Sequence, residues 1–156
     1  MAKFVRRALV LLLITVVLLV LLPAERVPPT GQWLARAGLT PLTVRVGRLD
    51  IRYVRKGQGP TLILIHGLAS SIYTWSDVIE PLSRSFDVIA LDLPGFGSSS
   101  QPADLSFEEL AGAAPGLMDA LGVTRAHLVG NSLGGAVSLL VAARQPARVD
   151  HVVILD

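Results

Sequence analysis

Not one of the 156 residues is cysteine. That absence excludes disulfides, thiolate metal sites, a cysteine nucleophile and lipid attachment through a thiol. A clustered basic face is missing too. The 14 Lys and Arg residues nearly balance the 12 Asp and Glu residues, and Lys3, Arg6 and Arg7 all precede one apolar run. Without those three cations the balance is about −1, so the high isoelectric point marks a small imbalance and no nucleic-acid partner is indicated. No internal repeat and no low-complexity tract is visible. No G-x-G-x-x-G loop is present, and no glycine loop ends in G-K-[ST], which removes the dinucleotide and nucleotide-phosphate readings. No metal or organic cofactor is implied.

Apolar residues make up 51% of the chain and the mean hydropathy is +0.57, high for a soluble domain. Much of the excess sits in Ala8–Leu22, directly after the basic stretch Lys3–Arg7. As a helix this run covers about 22 Å, short of a ~30 Å hydrocarbon core, and Phe4, Val5 and Ala24 extend it. Its length falls between a secretory h-region and a full span. The sequence Leu22-Pro23-Ala24-Glu25 lacks an A-x-A-like cleavage site because Leu22 occupies the −3 place, which favours an uncleaved signal anchor over a secreted product. A buried core helix is disfavoured, because Thr15 is the only polar residue in the run. The N-terminal cations favour a cytoplasmic amino terminus and an extracytoplasmic domain in the cell membrane, a bias that Arg26 and Arg36 weaken. The chain thus divides into a basic region and transmembrane helix (1–24), a stalk or linker (25–42) and a domain (43–156). Pro28-Pro29 holds the stalk extended, and Gln32–Ala37 suits a brief helix that sets Trp33 and Leu34 against the membrane or the domain.

Within the domain, Val44, Val46, Leu49, Ile51 and Tyr53 alternate on either side of Gly47-Arg48, the pattern of a hairpin with a two-residue turn. Arg45, Arg48, Arg52, Arg55 and Lys56 then form its solvated face, a simpler reading than a binding patch. The runs Thr61–Ile65, Phe86–Leu91, His127–Val129 and Val149–Leu155 are continuously apolar or nearly so, as strands buried on both faces of a parallel sheet are. Helical segments lie between them. Ile72–Leu82 places Trp75, Val78, Ile79 and Leu82 on one side. Ser106-Phe-Glu-Glu109 is a capping box opening a helix that Pro115, with Gly112 and Gly116, must kink or split. Leu133–Arg144 is the cleanest helical pattern. Alternating strands and helices predict an α/β fold, a mostly parallel sheet with helices on both faces.

Chemistry concentrates in Gly130-Asn131-Ser132-Leu133-Gly134-Gly135, directly after a strand and directly before a helix. In that context G-x-S-x-G becomes a nucleophile elbow. The glycines permit a sharp turn that strains the backbone at Ser132, and the new helix aims its first amides at developing negative charge. A glycine-rich packing turn is the bland alternative.

The chain here resembles the α/β-hydrolase superfamily. Three segments carry the likeness: His66-Gly67 after an apolar strand, Asp92-Leu-Pro-Gly-Phe-Gly-Ser98 after the next, and Gly130–Gly135. Their order and spacing match over roughly residues 43–156, which ends after the strand that follows the nucleophile helix. The resemblance implies that Ser132 is the nucleophile and that the backbone N–H groups of Leu68 and Leu133 form the oxyanion hole. It also implies that Gly67, Gly130, Gly134 and Gly135 shape the loop and elbow, and that His66 is structural. Related haloalkane dehalogenases and epoxide hydrolases carry aspartate at the elbow; serine implies acyl-enzyme chemistry instead, on a small apolar or ester-like substrate or in C–C bond hydrolysis.

The family order is Ser, then Asp or Glu, then His. After Ser132 the only histidine is His151, and both His151 and His127 open strands at the end of the sheet opposite the elbow, which makes neither a base. Asp156 stands at the carboxyl end of its strand, at the height where a minority of the family places its acid; a loop or capping role is the simpler reading. The expectation is a partial hydrolase domain, inactive alone, whose last strand is an uncovered edge. The rival is a non-catalytic, membrane-tethered binding module of the same fold, and a cofactor-free haloperoxidase activity would use the same triad. Leu68, Trp75, Phe96 and Leu133 are the candidate pocket lining.

Overall fold

The computed structural model describes residues 30–156. The expected membrane helix lies outside the described residues, and among those described no helix is long and apolar enough to cross a membrane. The first element is a short helix, α1 (Thr30–Arg36), followed by the hairpin strands β1 (Leu42–Val46) and β2 (Leu49–Lys56) and by β3 (Thr61–Ile65). A 3-10 turn (Ile72–Trp75) and α2 (Ile79–Leu82) lead to β4 (Asp87–Leu91); α3 (Phe107–Ala120) leads to β5 (Ala126–Asn131). After α4 (Leu133–Arg144) and a 3-10 turn (Pro146–Arg148), β6 (Val149–Leu155) completes one six-stranded sheet in the order β1-β2-β4-β3-β5-β6. The strands β4, β3, β5 and β6 are parallel, while β2 runs antiparallel to both β1 and β4.

The continuous apolar runs have a direct cause. In β3, Ile63 and Ile65 face a core shared with α3 and α4, whereas Leu62 and Leu64 face a second core made with α1, the first 3-10 turn and α2. In β4, Ile89 and Leu91 divide from Val88 and Ala90 in the same way. Helices on both faces leave these strands no wet side. The hairpin alternates instead. Leu49, Ile51 and Tyr53 are buried, and the outward cations are paired: Arg45 with Asp50, Arg48 with Asp104 and Glu109, Arg55 with Asp87, Lys56 with Glu80.

Four expectations are corrected. Ile72–Leu82 is a 3-10 turn and a four-residue helix, not one helix, and Val78 is exposed. Asp92, at the end of β4, accepts the Ile72 N–H, fixing the start of that segment by a side-chain bond that a periodicity reading does not contain. Pro115 does not split α3, which runs unbroken through it. The glycine beside it serves packing: a Cβ on Gly116 would lie 2.2 Å from Val46 Cγ1, so the helix lies directly on β1. The segment after the prolines is not a free stalk, since Trp33, Leu34 and Leu39 are buried in the second core. Finally, β6 is not buried on both faces as its apolar run suggests; among the described residues it pairs with β5 alone, the uncovered edge expected of the last strand, and leaves Val153, Ile154 and Leu155 exposed.

Candidate active site

Ser132 sits between β5 and α4 at φ 49°, ψ −113°, a region that side-chain-bearing residues rarely occupy and that costs about 1–3 kcal/mol. Its surroundings fix it there. The Ser132 N–H donates to Leu155 O at 2.8 Å, and its carbonyl accepts from Gly135 N–H at 2.8 Å and Ala136 N–H at 3.2 Å. The turn is tight enough that a Cβ on Gly130 would lie 2.2 Å from Gly134 O, and one on Gly134 would lie 2.0 Å from Ile65 O. Only glycine lets the first turn of α4 sit on the end of β3. Gly135 makes a looser approach, 2.9 Å from Ile154 Cγ2 of β6.

The loop after β3 closes on the elbow. A Cβ on Gly67 would lie 2.9 Å from Asn131 Oδ1 and 3.3 Å from Ser132 Cβ, so Leu68 begins one residue from the serine. Among the described residues neither Leu68 N–H nor Leu133 N–H has a protein acceptor. Ala69 stands at φ 52°, a second strained position in the loop, with nothing in the identity of an alanine to announce it.

His66 is fully buried. Its Nε2 accepts from Leu93 N–H at 3.0 Å; the ring therefore carries its proton on Nδ1, which donates to Gly67 O at 2.7 Å. Burial pushes its pKa below the ordinary value, against the opposing pull of the Gly67 carbonyl and the Asp92 charge. The imidazole is a neutral strut between two loops, with both nitrogens committed. Asp92 is a second strut, and sequence reading assigned it no role beyond a turn. Its carboxylate accepts from Ile72 N–H at 2.7 Å and Ser98 N–H at 2.8 Å. Gly97 was the available signal, because a Cβ there would fall 2.2 Å from the Asp92 carboxyl carbon. Ser99 Oγ joins the hairpin to this turn, donating to Asp92 O and accepting from Arg52 N–H.

His127 and His151 lie at the amino ends of β5 and β6, with their Nδ1 atoms 3.1 Å apart. They are far from the elbow, as their positions in the strands predict. Asp156 follows Leu155, whose carbonyl holds Ser132 N–H, and so stands beside the elbow, exposed. One expected lining residue is misplaced. Trp75 is buried in the second core with Ile72 and Ile79, while Leu68 is 69% exposed and Phe96 and Leu133 pack at the rim of the first core. Three concavities among the described residues lie elsewhere: under the hairpin turn, between α3 and α4, and along Leu34–Pro41. Ser132 itself is exposed.

A profile of the family described as the alpha/beta hydrolase fold matches residues 60–156. The chain belongs to that family. Among relatives of the chain, fluoroacetate dehalogenase of a Burkholderia species is 36% identical over 119 residues, covering 72% of this chain and 39% of the dehalogenase. The 2-hydroxymuconate semialdehyde hydrolase of a Pseudomonas strain is 39% identical over 104 residues, covering 64% and 37%. A crystal structure of a membrane phospholipase A, described as a bacterial virulence factor, superposes with a TM-score of 0.76 at 36% identity, covering 99% of this chain and 51% of the other. The chain thus spans well under half the length of these curated relatives and about half of that solved structure.

Proposed function

We propose that Ser132 is the nucleophile of a serine hydrolase that works through an acyl-enzyme on an ester-like or related carbonyl substrate, tethered to the cell membrane by residues 8–22. The observation that carries this is the serine held at positive φ between strand and helix, against a loop whose next amide has no protein acceptor. A packing turn gains nothing from strain at a serine. In the reaction a general base takes the hydroxyl proton, Oγ bonds to the carbonyl carbon, and the negative charge gathers on the carbonyl oxygen facing Leu68 and Leu133 N–H. The tetrahedral species expels the alcohol, which leaves with the proton. Water then takes Oγ's place on the acyl carbon and frees the serine. Each oxyanion donor contributes a factor of about 10²–10³ in rate. His66 is not the base, because its acceptor nitrogen already holds Leu93 N–H.

The test is a fluorophosphonate probe, which phosphonylates an activated serine with loss of fluoride, applied to the protein that carries this chain in full. Labelling is expected at Ser132 and is expected to vanish in Ser132→Ala. Folded protein that resists the probe would instead be a tethered binding module.

A further inference from the structure

The described chain does not join its sheet at a neutral place. Ala37, after the end of α1, offers its carbonyl to Lys56 Nζ, and Lys56 pairs with Val88 in the lower half of β4. Trp33, a turn earlier, meets Tyr73 edge to face with ring centroids 5.5 Å apart. Tyr73 adjoins Ile72, whose N–H is held by Asp92 at the carboxyl end of β4. The helix α1 therefore descends from the Ser132 end of the sheet toward the opposite end, and its first residues approach from the Ser132 side. Trp33 and Leu34 are buried in the second core, which docks α1 firmly on the domain. Between the apolar run ending at Leu22 and the start of α1 lie only seven residues, which span at most about 25 Å fully extended. Exposed apolar side chains lie at that same end, among them Leu68 in the loop beside the elbow, Phe107 at the start of α3 and Leu155, whose carbonyl accepts from Ser132 N–H.

We infer that the Ser132 end of the domain faces the lipid surface from which residues 8–22 emerge, so that the substrate class is an acyl ester of a membrane lipid entering from the bilayer. This rests on the reading of Ser132 as a hydrolase nucleophile and of residues 8–22 as an anchor, and it adds the orientation and the source of substrate. The partner is the headgroup and acyl boundary of a bilayer, where apolar side chains on a short tether insert most readily.

The test uses the full membrane protein in vesicles of phosphatidylethanolamine and phosphatidylglycerol, on a background otherwise free of cysteine. A fluorophore is placed at Thr74→Cys, one residue from Tyr73, or at Thr124→Cys, just before the amino end of β5. Lipids carrying a nitroxide near the headgroup are expected to quench the first label severalfold more than the second; equal or reversed quenching overturns the orientation. In parallel, fatty-acid release from the vesicle lipid is compared with cleavage of a water-soluble butyrate ester. Release from the vesicles supports the substrate class. Cleavage of the soluble ester alone overturns it while leaving the hydrolase reading intact, and fluorophosphonate labelling of the same preparation reports on that reading separately.

Discussion

At the scale of single residues, the elbow depends on what is missing from Gly134. A methyl group there would sit 2.0 Å from a β3 carbonyl oxygen, and backbone cannot retreat as a flexible side chain can. Gly134→Ala is expected to destabilise the fold by about 2–3 kcal/mol or more, read from denaturant midpoints, and to abolish labelling of Ser132 even in protein that remains folded. His66 yields a prediction about pH. Its pKa is depressed by burial, so the unfolded chain takes up a proton near 6.5 while the folded chain refuses it until lower pH. Stability from this residue is complete above about pH 6.5 and falls as the pH drops below that value. The carboxylates with depressed pKa values, Glu80, Asp104, Glu108 and Glu109, act only below their ordinary range. Among the groups with resolved shifts, the interval from pH 6.5 to about 4.5 belongs to His66. The melting temperature is expected to decline across it, and His66→Gln to flatten that decline. An unchanged slope in the variant would show that the strut is not neutral imidazole.

At the scale of elements, α3 separates two kinds of glycine. Gly116 touches Val46, whereas a Cβ on Gly112 would meet nothing within 4 Å. Gly112→Ala is therefore expected to stabilise the fold by about 0.5–1 kcal/mol, and Gly116→Ala to destabilise it, in the same denaturation experiment. The start of the helix is equally specific. Ser106 Oγ accepts Glu109 N–H while the Glu109 carboxylate accepts Ser106 N–H. Glu109 also receives Arg48, and these bonds, led by Arg48, hold its pKa down to about 2. Ser106→Ala is expected to cost about 0.5–2 kcal/mol. The stability that the Glu109 charge contributes is complete above about pH 4.5 and is lost progressively as the pH falls from there toward 2. This cap, the hairpin turn and the helix after Ser132 were all legible in the sequence, because each is set by residues within four or five positions of one another. The break between Trp75 and Ile79 was not legible, since it depends on Asp92 reaching back across twenty positions to Ile72. Nor was the docking of Trp33 and Leu34, where sequence left membrane and domain both open and the second core decides between them. At the site, the spacing of Gly130, Gly134 and Gly135 marked the turn at Ser132, whereas Gly67 entered only through the resemblance to the family. The strain at Ala69 and the commitment of both His66 nitrogens are tertiary facts that no local pattern encodes.

At the scale of the molecule, the sheet is unevenly covered, and the unevenness bears on Ser132. The strands β3 and β4 are enclosed on both faces, whereas β6, among the described residues, pairs with β5 alone and exposes Val153, Ile154 and Leu155. Yet β6 supplies the carbonyl of Leu155 that holds Ser132 N–H, and Ile154 packs against Gly135. Within residues 30–156, the element that steadies the elbow is therefore an apolar edge with unpaired backbone groups, the kind of surface that recruits another strand in a piece prepared alone. Residues 30–156 prepared alone are expected to self-associate through β6 at micromolar concentration. Val153→Lys, which puts a charge on that edge without touching Leu155 or Ile154, is expected to shift the population toward monomer in size-exclusion chromatography with light scattering. If the wild-type piece stays monomeric, β6 is not an adhesive edge. If the lysine variant associates as strongly as wild type, the contact lies elsewhere, and the hairpin edge at β1 becomes the surface to charge next. The distinction matters for the elbow, because a strand that pairs promiscuously can slip in register. A slip of one residue at β6 would carry the Leu155 carbonyl away from Ser132, and the serine would lose the bond that holds it upright.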